Sequence, residues 1–198
     1  MPSQIIDVKT AIRFLRAHAD EYEIDPEHIG IIGRSAGGQL SALAAMNSDS
    51  YESEEWSAYS SHVQACCDMF GPVDFVKLIE EDAIEMRTNP NCRWKKPEDT
   101  HAGALFGGDM STLKERAKPY CPPYILTKEM CPILILHGDC DKLVSCDISE
   151  AFYDDIVKAG MEDRADLYIL HGAGHGTKEF FQQETKEIIR AFFDKNLK

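Results

Sequence analysis

The chain has 198 residues, enough for one domain with a single buried core, and its composition, 43% hydrophobic and 28% charged, is that of a soluble globular protein. Thirty-four acidic residues against 21 basic ones leave a net charge of −13, a field that repels a phosphate backbone and argues against a nucleic-acid partner. No apolar stretch approaches the roughly 20 residues of a membrane span, and the start, Met1-Pro2-Ser3-Gln4, has neither the basic nor the apolar region of an export signal, so the expectation is a cytoplasmic protein without a membrane partner.

Apolar residues at Ile5, Val8, Ile12 and Leu15 fall on one helical face, which predicts a helix from Ser3 to Tyr22 with Ser3 as its N-cap. Asp25-Pro26-Glu27 breaks it. His28 to Ile32 is short and aliphatic, the pattern of a strand buried on both faces. Gly33 to Gly38 forms a small-residue turn into a second helix carrying Leu40, Leu43, Ala44 and Ala45. After a polar stretch, Val63 to Phe70 is the second strand, stopped by Gly71-Pro72. From Ile79 to Lys118 the periodicity is lost, and this segment reads as an excursion above the strand ends, a lid or cap with short helices. Its sharpest feature is Arg93-Trp94-Lys95-Lys96, which is either an exposed basic loop anchored by one aromatic or a grip for a sugar ring or an acidic leaving group. The acidic runs at Glu52 to Glu55 and Glu80 to Asp82 read as solvated faces. Pro132 to His137 and Ala165 to His171 are the last two strands, separated by a helix from Ile148 to Ala159 and followed by one from Lys178 to Phe193. This alternation predicts an α/β fold: a parallel sheet of about four strands, helices on both faces, and all strand C-termini on one edge. The seven cysteines are odd in number and have no C-x-x-C spacing, which points to mostly buried thiols in a reducing compartment rather than disulfides or a zinc ribbon.

The chemistry collects at three strand ends. Gly33-Arg34-Ser35-Ala36-Gly37 fits G-x-S-x-G between an aliphatic strand and a helix. A serine on such a turn is strained and exposed, and small residues two positions to either side relieve the crowding. His137-Gly138-Asp139-Cys140-Asp141 closes the third strand and supplies a carboxylate on the same edge. His171-Gly172-Ala173-Gly174-His175-Gly176 closes the fourth. The order nucleophile, acid, histidine is that of the α/β-hydrolases. Of the two histidines, His171 lies in the strand and reads as a packed or hydrogen-bonded core residue. A His171/His175 metal site would need an i, i+4 helix that the glycines forbid, so no metal and no cofactor are expected.

With these motifs in place the chain resembles the bacterial carbohydrate-esterase and lipase-like α/β-hydrolases, which also resemble the catalytic domains of prolyl-oligopeptidase-type enzymes. The stretches that carry the resemblance are Ser3 to Leu15, Ile24 to Gly30, Gly33 to Gly38, Phe70-Gly71-Pro72-Val73-Asp74-Phe75 and the two strand-end motifs. The resemblance implies an ester hydrolase with Ser35 as nucleophile, His175 as base and Asp141, the last residue of H-G-x-x-D, as acid in place of Asp139. Asp74, after the second strand, is the alternative acid. The Ala36 N–H is one oxyanion donor, and Gly33, Arg34 and Gly37 complete the nucleophile elbow. Arg34 replaces the acidic or small polar residue usual there, which bears on substrate contacts. The substrates implied are small esters, including acetylated or feruloylated sugars.

Relative to the family the N-terminal strands and the H-G-G loop that gives a second oxyanion donor are not seen, and losing one donor costs roughly 10²–10³ in turnover. The competing expectations are therefore an impaired, truncated hydrolase and a prolyl-oligopeptidase-like peptidase domain. The strand 28–32 is expected to be an edge and a site of self-association.

Overall fold

A computed structural model describes residues 1–198, the whole chain. Four parallel strands, β1 (Gly30–Arg34), β2 (Ala65–Met69), β3 (Ile133–Gly138) and β4 (Ala165–Leu170), form one sheet in the order β1-β2-β3-β4. Register pairs Gly30 with Ala65, Cys66 with Ile133, and Ile133 with Ala165, so the strands end nearly level at one edge. This is the α/β-hydrolase arrangement, and it matches the expected fold class.

The strand order explains how the helices are shared between the faces. Each strand is added on the same side of the last, so right-handed crossovers place every connecting helix on one face. The helices α1 (Ser3–Ala17), α3 (Ala36–Ala45), α4 (Phe75–Thr88) and α7 (Cys146–Lys158) pack there, over Cys66, Ile133 and Ile135. The intervening residues Cys67, Leu134 and Leu136 point the other way, where α8 (Gln183–Leu197) supplies Phe192. The alternation is the two-residue period of a strand, and burial on both faces is why β3 opens on an unbroken aliphatic run and β2 is apolar but for Asp68. Five cysteines are buried, Cys140 is exposed and Cys146 lies between.

Several expectations need correction. The first helix stops at Ala17, and a separate turn, α2 (Ala19–Tyr22), follows it. Its N-cap is Pro2, with no side-chain cap, so Ser3 is the first helical residue. β1 is not buried on both faces: Ile32 is 50% exposed in an open groove beside α8, which packs Phe193 and Leu197 against Gly30. Glu52 is not solvated. It binds Lys9 at 2.5 Å and Arg13 at 2.7 Å, and this tethers the polar loop after α3 to the buried face of α1. In the other acidic run, Asp82 accepts a hydrogen bond from Trp94 Nε1 at 3.2 Å.

The excursion is more helical than its sequence suggests. α4 runs fourteen residues, started by Asp74, whose Oδ1 accepts from the Val76 and Lys77 N–H groups. It buries only Phe75, Val76 and Leu78, so no apolar stripe marks its second half. Two short helices follow, α5 (His101–Phe106) and α6 (Leu113–Ala117). No helix of the protein is long and apolar enough to cross a membrane.

Candidate active site

Ser35 stands between β1 and α3 with φ 54° and ψ −121°. A non-glycine residue held at positive φ is strained, and its surroundings show what holds it. Its N–H donates to the Met69 carbonyl at 2.9 Å. A Cβ on Gly33 would lie 2.0 Å from the Gly37 carbonyl oxygen, so the tight turn excludes any side chain there. Gly37 differs from expectation. A Cβ at this position would meet nothing, and what the turn needs from residue 37 is its backbone. Besides Gly33, the glycine with a steric reason is Gly38, whose Cβ would fall 2.2 Å from Asp68 Oδ1.

The strand ends bring Ser35, His175 and Asp141 into one hydrogen-bonded chain. His175 Nε2 lies 2.8 Å from Ser35 Oγ, and His175 Nδ1 lies 2.6 Å from Asp141 Oδ2. The carboxylate accepts from Nδ1–H, which leaves Nε2 free to accept the serine hydroxyl hydrogen. His175 is partly shielded, with Phe70 packed edge-on at 4.8 Å. The side chain of Asp141 is wholly buried. Burial alone would raise its carboxyl. Hydrogen bonds from His137, the Val144 and Leu143 N–H groups and His175 outweigh burial and hold it at about 2.

His137 escaped the sequence reading. It lies fully buried at the end of β3. Its Nε2 lies 3.0 Å from the Val144 carbonyl and 3.3 Å from Asp141 Oδ2. A carbonyl only accepts, so Nε2 carries the hydrogen, and Nδ1 faces the Ser149 hydroxyl at 2.7 Å. His137 therefore fixes the acid from behind. The signal was present in the first residue of His137-Gly138-x-x-Asp141, an imidazole among aliphatic residues.

The other candidates fall elsewhere. Asp74 spends its carboxylate on capping α4 and makes no hydrogen bond to His175. Asp139 accepts from the Gly172 N–H at 2.7 Å and pairs with His171 at 2.8 Å. His171 is exposed, not a core residue, because the chain turns out of the sheet right after Leu170. Arg34 sits at the open end of β1 with its guanidinium over Phe181, 5.4 Å from the ring centroid. It lines a separate groove with Ile32 and Phe181, away from Ser35.

A cavity of about 310 Å³ opens beside Ser35. Its wall is mostly apolar, with Leu40, Pro72, Phe75, Leu78 and Leu105, and His101 and Ala36 also line it. Ala36 is the first residue of α3, so its N–H has no acceptor within the helix. Leu105 and His101 come from the excursion, which thus forms one wall of the cavity.

The profile of the BD-FAE family matches residues 1–156. Among curated proteins, the chain is 31% identical to a probable carboxylic ester hydrolase, LipM, of Mycobacterium tuberculosis, over 78% of this chain and 34% of that protein. Among solved structures, it superposes with a TM-score of 0.79 on a truncated form of a carbohydrate esterase from gut microbiota, at 31% identity, covering 99% of this chain and 69% of that one. It also superposes on a bifunctional GH43-CE protein of Bacteroides eggerthii with a TM-score of 0.81 and 28% identity, covering 100% of this chain and 26% of that one. The chain spans between about a third and two fifths of the length of the curated relatives it matches. With a parallel α/β-hydrolase sheet, a serine elbow after β1 and a profile match across most of its length, the chain belongs to the BD-FAE family.

Proposed function

We propose that the chain hydrolyses carboxylic esters of small or carbohydrate-linked acyl groups through an acyl-enzyme on Ser35. The observation that carries this reading is the continuous hydrogen-bonded line from Ser35 Oγ through His175 to Asp141, at 2.8 and 2.6 Å. Ser35 Oγ attacks the ester carbonyl carbon while His175 Nε2 takes the hydroxyl proton. The C–O bond to the alcohol breaks, and His175 returns the proton to the departing oxygen. Water then attacks the acyl carbonyl while His175 takes its proton, the bond from the acyl carbon to Ser35 Oγ breaks, and His175 returns the proton to Oγ, releasing the acid and free Ser35. Asp141 holds the working tautomer and stabilises the imidazolium. The Ala36 N–H donates to the developing oxyanion. The apolar cavity beside Ser35 suits the acyl group, the excursion 79–118 serves as its cap, and relatives named as ester hydrolases and a carbohydrate esterase support the substrate class.

The test is labelling with a fluorophosphonate probe and turnover of p-nitrophenyl acetate, beside Ser35→Ala. Both are expected in the wild-type chain and absent in the variant. Activity unchanged by Ser35→Ala sinks the assignment.

We also propose that two copies of this chain associate through β1, which bonds to β2 on one side only and leaves Ile32 half exposed. Ile32→Lys is expected to shift the chain toward monomer in size-exclusion chromatography with light scattering. A wild-type chain that is monomeric at high micromolar concentration counts against it.

A further inference from the structure

The hydrogen-bonded line through Ser35, His175 and Asp141 does not end at the acid. It continues inward to a serine that the ester chemistry has not used. Ser149 lies on α7 with no exposed surface, beside the buried Ile148, Phe152 and Ile156. A hydroxyl among such neighbours is costly to bury unless it is hydrogen-bonded. Its partner is His137 Nδ1, 2.7 Å from Ser149 Oγ, and His137 is itself fully buried.

The direction of that bond follows from the other side of the ring. His137 Nε2 faces two acceptors, the Val144 carbonyl at 3.0 Å and Asp141 Oδ2 at 3.3 Å. Nε2 therefore carries the hydrogen. In the neutral imidazole Nδ1 is then a lone pair, and the Ser149 hydroxyl donates to it. Asp141 Oδ2 is also the oxygen that accepts from His175 Nδ1. One carboxylate oxygen thus stands between two imidazoles, one that moves protons and one that is held still. His137 reaches from β3 to the loop bearing Asp141, and Ser149 reaches back to His137 from the helix that follows this loop.

We infer that Ser149 is a positioning residue for the ester hydrolysis: its hydroxyl holds the His137 ring in the tautomer and orientation that fix Asp141 Oδ2 against His175. This inference rests on the esterase reading and adds a residue to the support behind its acid. Neither His137 nor Ser149 lines the cavity beside Ser35, so the pair acts on the reaction and not on substrate binding. Without the hydroxyl, His137 Nδ1 is unpaired in apolar surroundings and the ring is free to turn. Asp141 then keeps only its Oδ1 bonds to the Leu143 and Val144 N–H groups as fixed supports when His175 becomes an imidazolium.

The test is turnover of p-nitrophenyl acetate, with active sites counted by fluorophosphonate labelling so that kcat refers to folded, competent molecules. Ser149→Ala is expected to lower kcat about three- to tenfold, the worth of one hydrogen bond, with KM within about twofold of wild type. Ser149→Cys, which fills the same space with a weak donor, is expected to fall with it. In a His137→Leu background, where the acceptor is gone, Ser149→Ala is expected to cost nothing further. In the wild-type chain, long-range proton–nitrogen NMR spectra of the histidine rings are expected to show the His137 hydrogen on Nε2 and none on Nδ1, and this measurement stands even where a variant does not fold. A wild-type kcat per site in either serine variant, with only Tm lowered, makes the pair a packing feature and overturns the inference. So does a hydrogen on His137 Nδ1, or an equal loss from Ser149→Ala in the His137→Leu background. These results leave the esterase reading standing. Absence of Ser35-dependent turnover overturns that reading, and this inference with it.

Discussion

Asp141→Asn is expected to lower kcat on p-nitrophenyl acetate by ~10³–10⁴ with the fold intact, the size of loss that follows when a catalytic histidine is left in the wrong tautomer. The geometry leaves an amide no good orientation. Asp141 Oδ2 accepts from His175 Nδ1 at 2.6 Å and sits 3.3 Å from His137 Nε2. Oδ1 accepts from the Leu143 and Val144 N–H groups at 2.8 and 3.0 Å. An NH₂ facing the two imidazoles makes His175 accept at Nδ1 and carry its hydrogen on Nε2, where it can no longer take the Ser35 proton. An NH₂ facing the loop sets donor against donor at Leu143 and Val144. Asp74→Asn is the control. Asparagine caps a helix about as well as aspartate, so α4 is preserved and turnover is expected within about twofold of wild type. Paired kinetics and thermal melts decide between them. A larger kinetic loss in Asp74→Asn than in Asp141→Asn would reassign the acid.

The sheet was legible in the sequence because its strands are short apolar-rich runs bounded by turn residues and its helices mostly keep an apolar stripe. The three strand-end motifs were legible because elbows and turns need glycine at defined places, as at Gly33. What stayed hidden has two physical causes. Some residues have roles that depend on partners far away in sequence. Glu52 looks like surface charge until α1 places Lys9 and Arg13 beside it, and Ser149 is one more helix serine until β3 places His137 beside it. Others sit where periodicity carries no signal. The second half of α4 is exposed, so nothing in its pattern distinguishes it from a loop. Gly37 shows the reverse error, a motif glycine whose side-chain position is open. Asp141 and Asp139 are two residues apart, and the resemblance to a family chose between them. The fold then puts one at the His175 imidazole and the other at an exposed turn.

Asp68→Asn is expected to stabilise the protein above neutral pH by on the order of 2–4 kcal/mol, and to do nothing of the kind near pH 4. Asp68 is fully buried in β2, beneath the elbow helix. Its Oδ1 accepts from the Gly71 N–H at 3.0 Å, and its Oδ2 is buried with no partner. Burial pushes its carboxyl up from 3.8 to about 7, against the pull of the nearby His137 and the Gly71 hydrogen bond. The sign follows from proton binding. Between about 4 and 7 the folded chain holds a proton on Asp68 that the unfolded chain has released, so each step up in pH through this window favours unfolding. Above about 7 the cost is complete and level. Asparagine keeps the acceptor for Gly71 and has no proton to lose, so it avoids the penalty. Other groups also shift on folding, Glu81 and Asp82 upward and His101 downward, so the quantity to follow is the difference between variant and wild type. At about 2–4 °C per kcal/mol for a chain of this size, Tm of the variant should exceed wild type by roughly 5–15 °C at pH 8, with the gap closing as pH falls to 4. A gap that does not change with pH, or a variant less stable at pH 8, would mean that Asp68 is ionised and held in the native state at neutral pH. The carboxylate would then be supporting Gly71 and the elbow at Gly38 as a charge, and the buried Oδ2 would need a donor from a neighbouring group to explain its stability.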